Sequence, residues 1–364
     1  MTTPAPKPPT EPDKIDPAWL SWQLRKADVI GEEEVVSVTA EAFGDSVGFL
    51  SRMARLVPEY SRKQTSAPST IVIKVETIDP RFRAMSDRLG AFAREIGFYE
   101  NMAPIAPTRL ARVYAGGTDE GVSWILMEDL GRLAPGDQIR GLSNRQIEMA
   151  LRHIGAVHAA SWEQSGLKEH AWLPANDFLF QDDFRQIWPN FRDHYELRIG
   201  HEATALLERL LEREDRLEAR IAERPYTLVH GDLRADNLLL GEEGTDEEVL
   251  ILDWQTATRS LGTIDVAQLI GGSEPPPERA GHYRGLFDAW LATLRRHGVA
   301  HYGGEDAHHD LCLGLLTCMR IPLQAFKALG GPDFATARAA QLADVLILRH
   351  TSAALEFDAG EHLP

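Results

Sequence analysis

The clearest hydrophobic pattern in the chain is two short apolar runs, with a polar segment before the first run and an aspartate directly after the second. Residues 230–237 carry most of the polar groups and lead into three leucines at residues 238–240. A second apolar run, residues 249–252, ends directly at Asp253. Short apolar runs bounded by polar or turn residues are typical of buried strands. The pattern therefore predicts a polar loop that leads into a β-hairpin, with Asp253 at a strand end.

The first third of the chain mixes strand patterns with one long helical pattern. Residues 35–39 and 71–75 are rich in β-branched side chains, and residues 122–127 form a further apolar strand. After the second strand, apolar residues recur every three or four positions and predict a helix. They are Phe82, Met85, Leu89, Phe92, Ile96 and Tyr99. The later part of the chain is mainly helical in pattern, so we predict an α/β (α+β) fold with two lobes of unequal size.

Composition excludes some partners. The chain has 364 residues, of which 38 are basic and 55 acidic, with a formal net charge of −17. Nucleic-acid phosphates need a basic surface, so nucleic acid is excluded as a partner. No signal peptide is visible, and no apolar stretch reaches the roughly 18 residues of a membrane span. We expect a cytoplasmic protein with no membrane span.

The two cysteines and several histidines are assigned no chemistry from the sequence. Cys312 and Cys318 are alone in a long chain, which indicates buried free thiols rather than disulfides or a zinc site. His301, His308 and His309 lack ligand partners at metal spacing, so we expect them to be surface residues.

Three oxygen-bearing side chains indicate phosphoryl transfer. Asp232 and Asn237 are five residues apart, which does not fit one helical face and indicates a curved loop. Together with Asp253 they offer hard oxygen ligands, which suit Mg²⁺. The order His-x-Asp-x-x-x-x-Asn, followed by an Asp at a strand end, is found in kinases. There the first Asp is the base, and the Asn and the second Asp bind the metal. The alternative is a hairpin in which Asp232 is only a turn residue.

An ion pair is predicted in the first part of the chain. Lys74 lies inside the apolar strand 71–75, where an amine is costly unless it is paired. Glu95 falls on or beside the apolar face of the next helix, and a strand Lys paired with a helix Glu directs its amine at ATP phosphates. Glu100 is a rival partner, because helical phase alone does not exclude it.

Two further segments are candidates for nucleotide binding. Gly44 and Ser46 belong to a G-x-x-x-G segment before the strand with Lys74, and its backbone N–H groups can approach phosphate closely. The apolar strand 122–127 ends in acids and a glycine, as at the hinge of a two-lobed kinase. There the backbone of residues 127–130 would bind the adenine edge, with contacts from Met127, Glu128 and Leu130.

Four motifs together resemble a known group of enzymes. They are Arg-Glu-x-x-Phe-Tyr at residues 94–99, Glu-Asp-Leu at 128–130, His-Gly-Asp at 230–232 and Asp-Trp at 253–254. This set is similar to the aminoglycoside phosphotransferase and choline kinase-like superfamily, and most similar to its ecdysteroid kinase-like branch. The likeness covers roughly residues 25–350.

The resemblance implies a protein-kinase-like fold that uses ATP and Mg²⁺ to phosphorylate a hydroxyl of a small molecule. It implies four parts: a tail and entry helix at 1–24, a β-rich N-lobe at 25–126, a hinge at 127–130 and a helical C-lobe at 131–364. The implied base is Asp232, the metal ligands are Asn237 and Asp253, and Lys74 holds the phosphates.

The resemblance also implies residues that support the catalytic loop. Asp265 would accept hydrogen bonds from the backbone N–H groups near His230 and Gly231, and helical His158 would support the loop as a core histidine. An aminoglycoside phosphotransferase would use the same machinery on a cationic acceptor. A pseudokinase is disfavoured because every polar position is present, and a protein kinase because Asp253 lacks the following Phe-Gly.

Overall fold

The computed structural model describes residues 7–43, 50–62, 67–178, 183–279, 281–331, 333–334 and 336–364. The chain divides into two compact units. The N-terminal unit comprises Met1–Pro104 and Leu110–Leu133, and the C-terminal unit comprises Ile105–Arg109 and Ala134–Pro364. The mixed α/β class predicted from the sequence is confirmed, since the first unit is built on a sheet and the second is mainly helical.

The N-terminal unit contains one antiparallel sheet with the strand order β1-β2-β3-β5-β4. Its strands are β1 (Val35–Phe43), β2 (Ser51–Tyr60), β3 (Ile71–Glu76), β4 (Val113–Asp119) and β5 (Val122–Glu128). Its helices are α1 (Pro17–Lys26), α2 (Pro80–Leu89) and α3 (Ala91–Asn101). β3 is central and buried along its whole length, which explains its continuous run of apolar residues.

The entry helix α1 covers part of this sheet. Its residues Trp19, Leu20 and Leu24 are buried in one core cluster with side chains of β2, β3 and β5. The ring of Trp19 meets that of Trp124 edge to face, with 4.9 Å between the ring centroids. Aromatic pairs in this geometry add to the stabilisation from burial alone. The apolar positions near the start of the chain are therefore core positions.

The long helix predicted after β3 is two helices. α2 ends at Leu89 and α3 begins at Ala91, with Gly90 between them in a left-handed conformation (φ 63°). Only glycine adopts this conformation at little cost. The apolar spacing continues across the break, so periodicity alone could not reveal it.

The C-terminal unit contains two small sheets, with the strand orders β6-β8-β9 and β10-β7. The strands are β6 (Ala134–Pro135), β7 (Thr227–Val229), β8 (Leu238–Leu240), β9 (Val249–Ile251) and β10 (Thr258–Ser260). β8 and β9 form the predicted hairpin, and their antiparallel register pairs Leu238 with Ile251.

The helices of this unit include one that is fully buried. They are α4 (Asn144–Ser161), α5 (Trp188–Glu212), α6 (Glu214–Ala222), α7 (Thr263–Ser273), α8 (Pro276–Arg279), α9 (Tyr283–Arg296), α10 (Gly304–Cys318), α11 (Arg320–Ala328) and α12 (Ala337–Glu356). Every residue of α7 is buried, and α7 contacts α4, α9, α10 and α12. Ser143 and Gln146 form a capping box at the start of α4.

One segment is more apolar than the sequence pattern led us to expect. Gly304–Ala328, which covers α10 and α11, is long and apolar enough to cross a membrane by length and composition. However, 83% of its apolar window is buried inside the protein. A helix that is surrounded by other helices is apolar on all sides, so burial accounts for its composition.

Candidate active site

The polar segment 230–237 forms a tight loop between β7 and β8, and a 3-10 turn, Ala235–Asn237, ends it. Gly231 has a φ of 80°, and a Cβ at this position would lie 2.5 Å from the carbonyl oxygen of Thr256. The hydroxyl of Thr256 also donates to the carbonyl of His230 at 2.9 Å. The loop is therefore pressed against the residues after Asp253, and only glycine fits at its bend.

The carboxylate of Asp265, at the start of α7, holds the bend of this loop. It accepts hydrogen bonds from the backbone N–H of His230 at 2.7 Å and of Gly231 at 2.9 Å. Nε2 of His158 lies 3.1 Å from the same carboxylate, and Nδ1 of His158 accepts from Trp290 Nε1 at 3.1 Å. His158 therefore carries its proton on Nε2 and donates it to Asp265. The Asp265 side chain is fully buried.

His230 is held in one tautomer by its own contacts. Its Nε2 lies 2.8 Å from the carbonyl oxygen of Leu252, which can only accept, so Nε2 carries the proton. Its Nδ1 accepts from the backbone N–H of Asp232 at 3.2 Å. Both ring nitrogens are thus used inside the fold, and the ring packs at a tilt against that of Trp254, with 4.7 Å between centroids. The arrangement gives His230 a supporting position.

The Asp232 carboxylate is only partly exposed and is oriented by three donors. Oδ1 accepts from Gln268 Nε2 at 3.1 Å, and Oδ2 accepts from Asn237 Nδ2 and Arg234 Nε, each at 3.1 Å. Gln268 also accepts the backbone N–H of Leu233 at 3.0 Å, which fixes the direction of its amide. Gln268 was not among the residues predicted from the sequence. Its only signal was its position three residues after Asp265, on the same face of one helix.

A backbone hydrogen bond brings Asn237 next to the residue that precedes Asp253. Leu252 N–H donates to the Asn237 carbonyl at 2.9 Å, which joins the residue before Asp253 to Asn237. Nδ2 of Asn237 donates to Asp232, so its side-chain oxygen is the atom that can bind a cation. Asp253 follows β9 in a left-handed conformation (φ 65°) that is uncommon for a residue with a side chain. Such backbone strain is concentrated at functional sites.

Arg234 is a cation that the sequence analysis did not identify. Its guanidinium bridges Asp232 and Asp236. Burial is the largest influence on its pKa and would lower it, but the charges of Asp232 and Asp236, with a smaller one from Asp253, outweigh burial and raise the pKa. Arg234 therefore stays charged and balances three neighbouring carboxylates. Its sequence signal was its position two residues after Asp232.

In the N-terminal unit, Nζ of Lys74 on β3 lies 2.7 Å from Oε2 of Glu95 on α3. Both side chains are almost fully buried, with exposures of 6% and 1%. Glu100, the rival partner, is exposed at the end of α3. A buried ion pair is costly to desolvate, so its presence is a better indication of function than of stability. Gly44 and Ser46 lie outside the described residues.

The segment 127–130 comprises the last two residues of β5 and the two residues after it, and bonds within the N-terminal unit fix it. The backbone N–H of Glu128 donates to the carbonyl of Arg112 at 2.9 Å, and the carbonyl of Leu130 accepts from Leu133 N–H at 2.9 Å. Asp129 binds Arg55 through both carboxylate oxygens, at 2.6 and 3.2 Å. Burial opposes this charge, but Arg55, Gly131 N–H and Thr70 together lower the pKa of Asp129. Met127 pairs with Val72 and Val113 in the sheet.

Three solved structures with a similar fold are named as phosphotransferases or kinases. A candidate aminoglycoside phosphotransferase from Ralstonia eutropha superposes with a TM-score of 0.55 at 18% identity, covering 94% of this chain and 97% of that chain. A microcompartment-associated aminopropanol kinase gives 0.56 at 14% identity, covering 89% and 94%. The GDP complex of an aminoglycoside 2'-phosphotransferase-IIIa mutant gives 0.50 at 12%, covering 94% and 98%. At these identities the likeness establishes the protein-kinase-like fold.

A search of curated proteins found no match. The sequence does match one protein family over residues 46–300, well over half of the chain. That match includes the β3 strand, the polar loop and Asp253, and it confirms the resemblance drawn from the motifs. The chain belongs to the Ecdysteroid kinase-like family.

Proposed function

We propose that this protein is a kinase that transfers the γ-phosphoryl group of ATP to a hydroxyl of a small molecule, with Mg²⁺. The observation that carries the proposal is the loop 230–237, in which Gln268 of α7 orients Asp232 and Asp232 in turn binds the side chain of Asn237. The Asn237 carbonyl accepts from Leu252 N–H, directly before Asp253. Family membership and the phosphotransferase fold support transfer of a phosphoryl group in general. The nucleotide, the metal and the acceptor class are parts of our proposal.

The residues of the loop fit a magnesium ion. Asn237 and Asp253 offer an amide oxygen and a carboxylate, and Mg²⁺ prefers such hard oxygen ligands while keeping several waters. The Asn237 side chain is positioned for this role because its nitrogen is bound to Asp232. Bound Mg²⁺ would neutralise charge on the phosphate oxygens. We assign Asn237 and Asp253 as its protein ligands.

Asp232 would receive the acceptor hydroxyl. Its carboxylate is held by Arg234, Asn237 and Gln268, so the direction of its free lone pairs is fixed before the acceptor binds. Phosphoryl transfer proceeds through a loose transition state, in which the attacking oxygen needs positioning more than strong deprotonation. Asp232 therefore orients the hydroxyl and accepts its proton as transfer proceeds.

In the N-terminal unit, Lys74 would bind ATP phosphates, with Glu95 holding its amine in place. For the adenine edge we propose the N–H of Leu130 and the carbonyl of Glu128. Among the described residues, no acceptor is seen for the Leu130 N–H, whereas the Glu128 N–H is already bonded. Gly44 and Ser46 remain proposed backbone contacts of the phosphates.

An aminoglycoside-type phosphotransferase is a second candidate. Its chemistry would be the same, and a net charge of −17 suits a cationic acceptor. Two of the structures with a similar fold are named for aminoglycosides. A protein that binds nucleotide without turnover is the third possibility, and the intact set of polar residues argues against it.

The test is a coupled assay of ATP consumption against panels of sterols, amino alcohols, sugars and aminoglycosides. We expect Mg²⁺-dependent turnover with one class of hydroxyl compound and a phosphorylated product by mass spectrometry. An Asp232→Asn variant is the control for contaminating kinases. Turnover with aminoglycosides alone would select the second candidate, and nucleotide binding without turnover on any panel would refute the enzyme proposal.

A further inference from the structure

A second group of ligand-type side chains lies in the C-terminal unit and has no part in the proposed reaction. His308 and Cys312 are one turn apart on α10, and His362 belongs to a 3-10 turn, Ala359–His362, that contacts α10. One ligand atom from each of these three residues lies within 4.8 Å of the other two. The sulfur of Cys312 is 3.8 Å from Nε2 of His308.

These separations are close to those of a zinc site. With Zn–S of about 2.3 Å and Zn–N of about 2.0 Å, tetrahedral ligand atoms lie roughly 3.3–3.6 Å from one another. Small rotations of side chains would bring the three atoms to that spacing. Cysteine and histidine are also the ligands that zinc prefers in proteins. A His-x-x-x-Cys pair on one helix presents both ligands from the same face.

His309 provides the support that metal-binding histidines usually have. Its Nδ1 is 2.8 Å from Nδ1 of His362, and two nitrogens at this distance must share a proton. When Nδ1 of His362 is the donor in this bond, its Nε2 carries no proton and can bind a metal, and the bond fixes the direction of the ring. Bonds of this kind from a neighbouring group tune metal affinity and often change it 10–100-fold.

A cation could reach the three side chains from solvent through a surface cavity, and the sulfur of Cys312 lies buried behind the histidines. The Cys312 side chain is fully buried, whereas both ligand histidines are half-buried. A surface cavity of about 530 Å³ opens at the histidines, and two exposed acids on its wall outnumber the single arginine there. The polar residues that line it are His308, His309, His362, Glu305, Asp306 and Arg220.

We propose that His308, Cys312 and His362 bind one Zn²⁺ ion, with water from the cavity as the fourth ligand. On binding, the Cys312 thiol loses its proton to solvent and its sulfur bonds to the metal. The ion would join α10 to the turn Ala359–His362 and stabilise the folded C-terminal unit, because it binds the folded state. His308 and His309 are half-buried, not the surface residues that the sequence predicted. The proposed zinc site also departs from the expectation that the cysteines take no part in such a site. His301 is exposed, as expected.

The test uses cobalt as a spectroscopic substitute for zinc. The full-length protein is stripped with a chelator and titrated with Co²⁺ in excess Mg²⁺, which keeps oxygen-only sites filled. We expect a thiolate-to-cobalt charge-transfer band that saturates at one equivalent and disappears when Zn²⁺ is added. Cys312→Ala should abolish the band, whereas Cys318→Ala, at the other buried cysteine, should retain it.

Further variants distinguish the loss of a metal ligand from misfolding of the protein. His308→Gln and His362→Gln should each abolish the stoichiometric band, and His309→Ala should weaken cobalt binding about 10–100-fold. His301→Gln, an exposed histidine, is the matched control and should change nothing. Zn²⁺ should raise the melting temperature of the wild type but not of His308→Gln. A wild type without the band, or a band that survives Cys312→Ala, would overturn the proposal, whatever the phosphotransfer assays show.

Discussion

The position of the proposed catalytic loop depends on one buried carboxylate, and removal of that carboxylate is a sharp test of the proposed site. Asp265 accepts three hydrogen bonds, from the backbone N–H groups of His230 and Gly231 and from Nε2 of His158. In Asp265→Ala these donors stay buried without an acceptor, and each costs about 1–3 kcal/mol. Removing a buried charge offsets part of this sum. We expect a net loss of roughly 3–5 kcal/mol, typical of the largest single-residue effects.

Asp265→Asn should be milder for a reason that can be worked out atom by atom. Oδ2 of Asp265 accepts two of the three bonds, and Oδ1 accepts only the Gly231 N–H. An asparagine that places its oxygen at the Oδ2 position keeps two bonds but sets its NH₂ group against the Gly231 N–H. One lost bond costs about 1–3 kcal/mol. Asp265→Asn should therefore retain partial activity.

Calorimetry and steady-state kinetics together measure both effects. For a unit of this size, 1 kcal/mol shifts the melting temperature by about 2–4 °C, so Asp265→Ala should lower it by roughly 6–20 °C. Below melting, kcat should fall more than KM rises for ATP, because Asp232 loses its orientation. Asp193→Asn, at a side chain that is 77% exposed, is the matched control. An Asp265→Ala protein with unchanged melting temperature and kcat would refute this reasoning.

The remaining predictions concern the metal, the phosphates and pH. Asp253→Asn should abolish Mg²⁺-dependent ATP binding in isothermal titration calorimetry while circular dichroism stays unchanged; normal turnover would remove Asp253 from the metal site. Lys74→Ala should lower kcat/KM for ATP on the order of 10²-fold with little change in acceptor affinity, and an unchanged ATP dependence would assign the phosphates to another cation. Burial, aided by Arg279 and Arg349, lowers the pKa of His350 to about 3, so this histidine stabilises the fold fully above the unfolded value of about 6.5. That stability should be lost at about 1.4 kcal/mol per pH unit as pH falls from about 6.5 towards 3, and denaturant melts of His350→Gln should show a shallower decline; an equal decline would contradict the assignment.

Local patterns in the sequence were enough to locate the polar loop and the hairpin. The apolar runs at residues 238–240 and 249–252 form β8 and β9, because short buried strands need continuous apolar residues. The Lys74 partner could not be decided in the same way. Glu95 and Glu100 differ by little more than one turn, and only the packing of α3 shows that Glu95 is buried and Glu100 exposed.

The proposed zinc ligands could not be predicted as a site from the sequence, because they lie far apart along the chain. His308 and Cys312 have the spacing of a helical ligand pair, but a pair alone does not make a site. The third ligand, His362, is fifty residues after Cys312 and is brought to α10 by the fold of the chain end. Nothing local marks His362 as a ligand. The site becomes visible only when tertiary contacts are known.

Two residues of α7, Asp265 and Gln268, stabilise the loop 230–237, although α7 is distant from the loop in sequence. A loop that turns as tightly as residues 230–233 satisfies only one of its own N–H groups, that of Asp232, so the other acceptors come from elsewhere in the chain. α7 supplies two of them, Asp265 for His230 and Gly231, and Gln268 for Leu233. Because α7 is buried along its whole length, these acceptors cannot move without disturbing the core. The direction of the Asp232 carboxylate is thus set by the packing of the helical unit.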